Sequence, residues 1–216
     1  MGMGIGNGLS DNFALDLAEA LCARLCHDLS GPLGTLAGAL EIAAEVGEAV
    51  SEDDAALELA NEASAQMKDR LRLYRAAWGG GTGAMTAADI SALVAPVATP
   101  RRIRIETAGL QGALDSDGAR LALGLLLLGV EALPRGGELV LAGQACESLI
   151  VQPVGPKAAW PEGVMEALAD AALPSPTPRG ISLVLLALAA KSCAVRLSLS
   201  FSGTAESAPP LVASWG

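Results

Sequence analysis

Histidine is almost absent from this chain: 216 residues hold a single one, His27. Aromatic residues are nearly as scarce, at 3% against a hydrophobic content of 51%. Leucine and alanine must therefore fill the core, which favours helices, and the length suits one or two globular domains. Bases are few, 14 Lys and Arg against 24 Asp and Glu for a net charge of −10. No basic stripe is available to neutralise phosphates, so nucleic acid is excluded as a partner. Long apolar runs are missing too. A membrane span needs about 20 residues, and Leu121–Val130 and Ile181–Ala190 fall well short. Both read as buried helices. Residues Met1 to Asn12 are Gly-rich without the apolar centre of a signal peptide, and Gly6 stands where myristoylation requires Ser or Thr. A cytoplasmic protein with no membrane partner is expected. The four cysteines form no Cys-x-x-Cys pair. Cys22 and Cys26, one helical turn apart, read as small core residues with reduced thiols. His27 projects about 100° away from Cys26 around a helix, so no metal site is expected.

What is there centres on Arg24-Leu25-Cys26-His27-Asp28-Leu29-Ser30-Gly31-Pro32-Leu33. At about 100° per residue, Leu17, Leu21, Leu25, Leu29, Leu33, Leu36 and Leu40 form one apolar stripe. His27 then points away from that stripe, with only small neighbours on its face: Ala20, Ala23, Gly31, Gly34 and Gly38. A surface histidine is ordinarily just solvated. Here, however, a helix carries glycines at roughly 1 kcal/mol each and a proline at about 3 kcal/mol beside its one imidazole. An imidazole that another protein can approach closely suits a nucleophile.

Residues from about 12 to 46 read as one helix stopped by Gly47. Ser51-Glu52-Asp53-Asp54 opens a second, with Ser51 as N-cap and acids in the first turn. Its positions Leu57, Ala60, Ser64, Met67, Leu71, Tyr74 and Trp78 are spaced as a heptad seam. The first helix offers Leu15, Ala18, Cys22, Leu25, Leu29, Pro32, Leu36 and Ala39 in return. A short turn near Ala49 and Val50 makes the two antiparallel. The apolar stripe is wider than one partner helix covers, so two hairpins are expected to pair into a four-helix bundle, making a homodimer. In this geometry His27 lies opposite Arg72, and Lys68, Arg72 and Arg75 share a face. Two readings stand side by side: these cations complement the dipole near the helix C-terminus, or they offer positive potential at His27 to an acidic partner docking there.

Gly79-Gly80-Gly81-Thr82-Gly83 reads as a flexible linker. It sets the expected organisation: a disordered or tag-like stretch 1–11, a hairpin 12–78, the linker 79–83, and a domain 84–216. Residues 1–80 carry 13 acids and 5 bases, whereas 84–216 carry 11 and 9. The second domain opens with a capping box at Thr86–Asp89 and a short helix ending at Pro96. A strand at Arg102–Glu106 follows, then a long buried helix capped by Asp117 and running through Leu133. Strands Glu138–Ala142 and Ser148–Val154, a helix over Pro161–Leu173, a proline-rich loop, a helix Ile181–Ser192 and a strand Val195–Phe201 complete it. This order predicts an α+β fold: an antiparallel sheet backed by helices.

His-Asp-Leu-Ser-Gly-Pro-Leu resembles the H-box of sensor histidine kinases, and the longer run with Arg24 and Gly34 resembles the dimeric bacterial histidine phosphotransferases of the ChpT type. The second domain resembles a histidine kinase ATP-binding domain, with its nucleotide site degenerate. The kinase helix needs an Asn for magnesium and phosphates. Here that stretch is Leu125-Leu126-Leu127-Leu128-Gly129-Val130, and no Asn occurs in 84–216. Where the kinase box supplies the Asp that reads adenine, the chain runs Gln152-Pro153-Val154-Gly155-Pro156. The resemblance implies a phosphorelay intermediate without ATP-dependent kinase activity. His27 would take a phosphoryl group from the Asp of one receiver domain and pass it to another, in a hybrid histidine kinase and in response regulators. Asp28 and Arg24 would complete the catalytic set. Ala20, Ala23, Gly31, Gly34, Lys68, Arg72 and Arg75 would meet the partner. No cofactor is expected on this chain, since Mg²⁺ would sit in the receiver. The alternatives are a non-catalytic adaptor or inhibitor docking through the same hairpin, and an active kinase.

Overall fold

Alanine, leucine and glutamate dominate the N-terminal third, and they fold as two long helices, α1 (Asp11–Val46) and α2 (Val50–Trp78). The computed structural model describes residues 11–46, 50–80, 83–168, 173–200 and 206–216. The stop at Gly47, the side-chain cap of Ser51 and residues 1–10 lie outside that description. α1 and α2 pack along each other. Asp28 of α1 meets Arg70 and Tyr74 of α2, as an antiparallel hairpin turning near residue 49 requires. On α2 the buried positions are Ala56, Ala60, Ala63, Leu73, Tyr74, Ala76 and Ala77. Ala60 and Tyr74 of the expected seam are thus buried, whereas Leu57 and Leu71 are 44% and 51% exposed. Alanines take the contact because they let two backbones approach, leaving the leucines on the outer side. Cys22 and Cys26 are exposed, so neither is a core residue.

The second domain follows as α3 (Ala87–Ala98), a 3-10 turn (Thr99–Arg101), β1 (Ile103–Gln111), α4 (Ser116–Glu131), β2 (Gly137–Gln144), β3 (Ser148–Val154), α5 (Val164–Leu168), α6 (Ile181–Ser192), β4 (Val195–Leu199) and β5 (Leu211–Trp215). Thr86 and Asp89 form the expected capping box, and the helix they start continues two residues past Pro96. The cap of α4 is Asp115, whose carboxylate accepts from the Gly118 amide at 2.8 Å, rather than Asp117. α5 is shorter than the helix expected over 161–173; residues 169–172 lie outside the description.

The five strands form one mixed sheet in the order β1-β2-β3-β5-β4. β1 pairs parallel with β2 and the other neighbours are antiparallel, so the expected all-antiparallel sheet is corrected at one edge. The reason is α4: a helix joining β1 to β2 carries the chain back to its starting end. Strand β5, unassigned from sequence, fills the gap between β3 and β4. At the start of β2, Gly137 adopts φ +139°, and a Cβ there would stand 2.3 Å from the Val154 carbonyl oxygen. Only glycine allows the strands that approach.

Alternate residues of β2, β3 and β5 (Leu139, Leu141, Leu149, Val151, Leu211, Ala213) turn toward the helices and are fully buried or nearly so. α4 lies over them, apolar on every side and covered on every side by α2, α3, α6 and the sheet. The core does not stop at the glycine run: Leu73, Tyr74, Ala76 and Ala77 of α2 belong to the same buried cluster as α4. The end of the hairpin is thereby seated in the second domain. No helix among the described residues is long and apolar enough to cross a membrane.

Candidate functional site

His27 stands near the middle of α1 with its side chain 84% exposed. Beside it Asp28 is buried, at 8% exposure, and is one of only two polar or charged residues buried among those described. The His27 Nδ1 lies 3.1 Å from Asp28 Oδ1. The other carboxylate oxygen, Oδ2, accepts from Arg24 Nε at 2.6 Å and from the Tyr74 hydroxyl at 2.5 Å. Burial alone would raise the Asp28 pKa, but hydrogen bonds from Tyr74, Arg24 and His27, with the Arg24 charge, outweigh it and hold the carboxyl below its ordinary value. An ionised carboxylate accepts only. The proton between Asp28 and His27 therefore belongs to Nδ1, which leaves Nε2 as the outer nitrogen of the exposed ring. Tyr74 is pushed up to about 12, by burial and by its bond to the Asp28 carboxylate, so it stays a donor. Its ring stacks on Trp78 with centroids 4.4 Å apart, which fixes the hydroxyl's direction.

Pro32 sits inside α1 four residues after Asp28. Lacking an N–H, it leaves the Asp28 carbonyl without its helical donor. Arg70 Nη1 takes that place at 2.8 Å. The proline thus binds α1 to α2 at the level of the histidine, because an orphaned buried carbonyl must find a partner.

Arg24 reaches the other way as well. Its Nη1 pairs with Glu131 Oε1 at 3.0 Å, at the end of α4, and approaches the Pro178 carbonyl at 3.4 Å. Glu131 also accepts from Ser182 Oγ of α6 at 2.9 Å. Burial opposes the Arg24 charge, yet the Asp28 bond and the charges of Glu131 and Asp28 raise its pKa further. Glu131 is raised by burial, with Arg24 and Ser182 offsetting part of that cost.

Of the expected residues, the fold brings Arg24, His27 and Asp28 into one hydrogen-bonded group. Ala23, Gly31 and Gly34 are exposed, whereas Ala20 is 5% exposed and so does not belong to the open face. A Cβ added to Gly31, Gly34 or Gly38 would meet nothing within 4 Å. Lys68, Arg72 and Arg75 are exposed and stand outside the network. Arg72 lies 4.0 Å from Asp69 and lines a groove of about 420 Å³ between α2 and α3. The cation at the histidine's level is Arg70, two residues and about 200° around the helix from Arg72. Sequence reasoning missed Arg70, Tyr74's hydroxyl, Glu131 and Ser182. One signal was available for Arg70: Pro32 at i+4 announces an orphaned carbonyl at Asp28. Glu131 and Ser182 had none, since their role depends on how the two domains dock. Among the described residues no three His, Cys, Asp or Glu side chains gather as metal ligands. Leu125–Val130 lie buried within α4 and offer no polar side chain to a nucleotide.

No curated protein matches the chain. Among solved structures, a bacterial phosphotransferase is 26% identical, with 95% of this chain and 97% of that one covered and a TM-score of 0.73. The histidine kinase AdeS of Acinetobacter baumannii is 15% identical over 87% of this chain and 95% of that one, with a TM-score of 0.41. The histidine kinase domain of a blue-light activated kinase from Erythrobacter litoralis EL346 is 13% identical over 94% and 90%, with a TM-score of 0.37. The family model for the histidine phosphotransferase C-terminal domain matches residues 87–205, more than half of the chain. The chain therefore belongs to the histidine phosphotransferase family.

Proposed function

We propose that this histidine phosphotransferase is the intermediate of a two-component phosphorelay. His27 accepts a phosphoryl group from the Asp of one receiver domain, in a hybrid histidine kinase, and passes it to the Asp of a response regulator. The observation that carries this reading is the pairing of Nε2, the outer nitrogen of an exposed ring, with an Nδ1 held by buried, ionised Asp28. The Nε2 lone pair attacks phosphorus, the bond from phosphorus to the aspartyl oxygen breaks, and the receiver carboxylate leaves as an anion. No proton has to leave Nε2, because the ring's proton already resides on Nδ1, where Asp28 stabilises the charge that the phosphorylated ring acquires. The reverse step delivers the group to the second receiver. Such transfer asks for in-line positioning and charge stabilisation, and Mg²⁺ belongs to the receiver's own pocket. The glycines beside His27 leave room for that pocket to close on the ring, and Lys68, Arg72 and Arg75 offer positive charge along α2.

The chain works as a homodimer in this reading. Leu15, Leu33, Leu40, Ile42, Leu57 and Leu71 are each 44–59% exposed on the hairpin, and a second hairpin covers them as a four-helix bundle. An apolar α4 gives ATP no ligands, so the phosphoryl group comes from another protein. The test is incubation with a phosphorylated receiver domain and mapping of label on this chain. Acid-labile, base-stable label on His27 is expected. Tight receiver binding with no label under any condition would instead make the hairpin a non-catalytic adaptor.

A further inference from the structure

His27 owes its ring orientation to one hydrogen bond, and the chain of contacts behind that bond does not end in the hairpin. Asp28 Oδ2 is held by Tyr74 and Arg24, which leaves Oδ1 for the ring. The planar guanidinium of Arg24 joins two carboxylates, Asp28 through Nε and Glu131 through Nη1. Its side chain is 15% exposed and that of Glu131 is 14%. Ser182, itself 2% exposed, donates to the same Glu131 oxygen. Five residues on α1, α4 and α6 therefore form one line from the second domain's interior to the imidazole. A fork with both ends occupied has one direction. With Glu131 gone, Nη1 loses its charged anchor and Nε is free to swing off Asp28.

We propose that Glu131, supported by Ser182, is a positioning residue through which the second domain sets the tautomer and ring angle of His27. The proposal rests on His27 being the phosphoacceptor only for its consequence, not for its geometry. It gives the ATP-less domain a task at the histidine: it holds the far end of the line that keeps the proton on Nδ1 and Nε2 open. Carboxylates that orient metal-bound histidines from behind set the scale of the effect, roughly tenfold on removal.

The full chain, labelled with ¹⁵N-histidine, supplies the test, because its one histidine makes every ring signal assignable. The wild-type ring should show a protonated Nδ1 and an unprotonated Nε2. Glu131→Ala should mix in the opposite tautomer and slow phosphorylation of His27 by phosphoramidate, followed by ³¹P NMR, roughly tenfold. Glu131→Gln keeps an acceptor and should fall between; Ser182→Ala should move both readouts the same way by less. Glu138→Gln, which removes the exposed partner of Arg104, should change neither. If Glu131→Ala fails to fold, the Gln and Ser182 variants still decide. Unchanged ring signals in variants that merely melt earlier would make the contact a structural clasp and overturn the proposal. A shifted tautomer in a protein that never carries phosphate on His27 would uphold the positioning and sink the phosphotransfer reading instead.

Discussion

The two halves of this molecule treat their leucines in opposite ways. In the second domain, Leu121, Leu123, Leu125, Leu126 and Leu128 of one helix are all fully buried. On the hairpin, Leu15, Leu33, Leu40, Leu57, Leu59 and Leu71 are each 42–59% exposed. Of the eight large hydrophobic residues that are exposed among those described, seven lie on α1 and α2. The second domain encloses its apolar residues; the hairpin keeps a large part of its own exposed. His27 sits on the exposed half, beside three glycines with open space above them, and the second domain reaches its hydrogen-bonded group through Glu131 and the Pro178 carbonyl, both on Arg24.

The largest test of that contrast is Leu126→Ala, which should cost about 2–5 kcal/mol in denaturant unfolding, because the site is enclosed on all sides. The paired change Leu33→Glu with Leu71→Glu should leave that core's transition nearly in place and instead halve the mass seen by light scattering. A mass that does not change would overturn the proposed pairing of hairpins through this face. Next comes Tyr74, the one tyrosine in the chain. Its phenolate absorbance should appear with a midpoint of about 12, and nearer the ordinary 10.0 in Asp28→Asn. The sign follows: the folded form keeps a proton that the unfolded form releases above 10.0, so this contribution is full below that pH and is lost as pH rises through about 12. Asp28 acts at the other extreme. Its lowered pKa makes its contribution present above 3.8 and lost on acidification below it. Glu131 opposes this, since its raised pKa lets the folded protein take up a proton first. The smallest effect is expected for Gly34→Ala. With nothing near its Cβ, it should raise stability by about 0.5–1 kcal/mol while slowing transfer from a receiver. Faster or unchanged transfer would remove Gly34 from the docking face.

Much of this was legible in the sequence, for identifiable reasons. A 3.6-residue period writes both hairpin helices, and Ile181–Ser192 matches its helix residue for residue. The exposure of His27 follows from the same period. What could not be read depends on contacts distant in sequence. Heptad spacing pointed to a seam from Leu57 to Trp78, of which Ala60 and Tyr74 are buried, but Leu57 and Leu71 are exposed and Ala56 and Ala63 are buried instead, since helix pairing selects for close approach as well as apolarity. Strand β5 is five residues behind two prolines, too short for an alternation to declare itself. The parallel pairing of β1 with β2 is a property of the crossover, not of either strand. Arg70 stood in for Arg72 because the hydrogen-bond vacancy left by Pro32 faces one side of α2 only.

The most direct measurement of the central claim is transfer of labelled phosphate from a receiver domain to the wild-type chain and to His27→Gln in parallel. His27 is too exposed to matter for packing, so both proteins should show the same helix content and the same oligomeric mass. Label is expected on the wild type alone, acid-labile and base-stable. Label on the variant would contradict the assignment of His27 as the residue that carries the phosphoryl group.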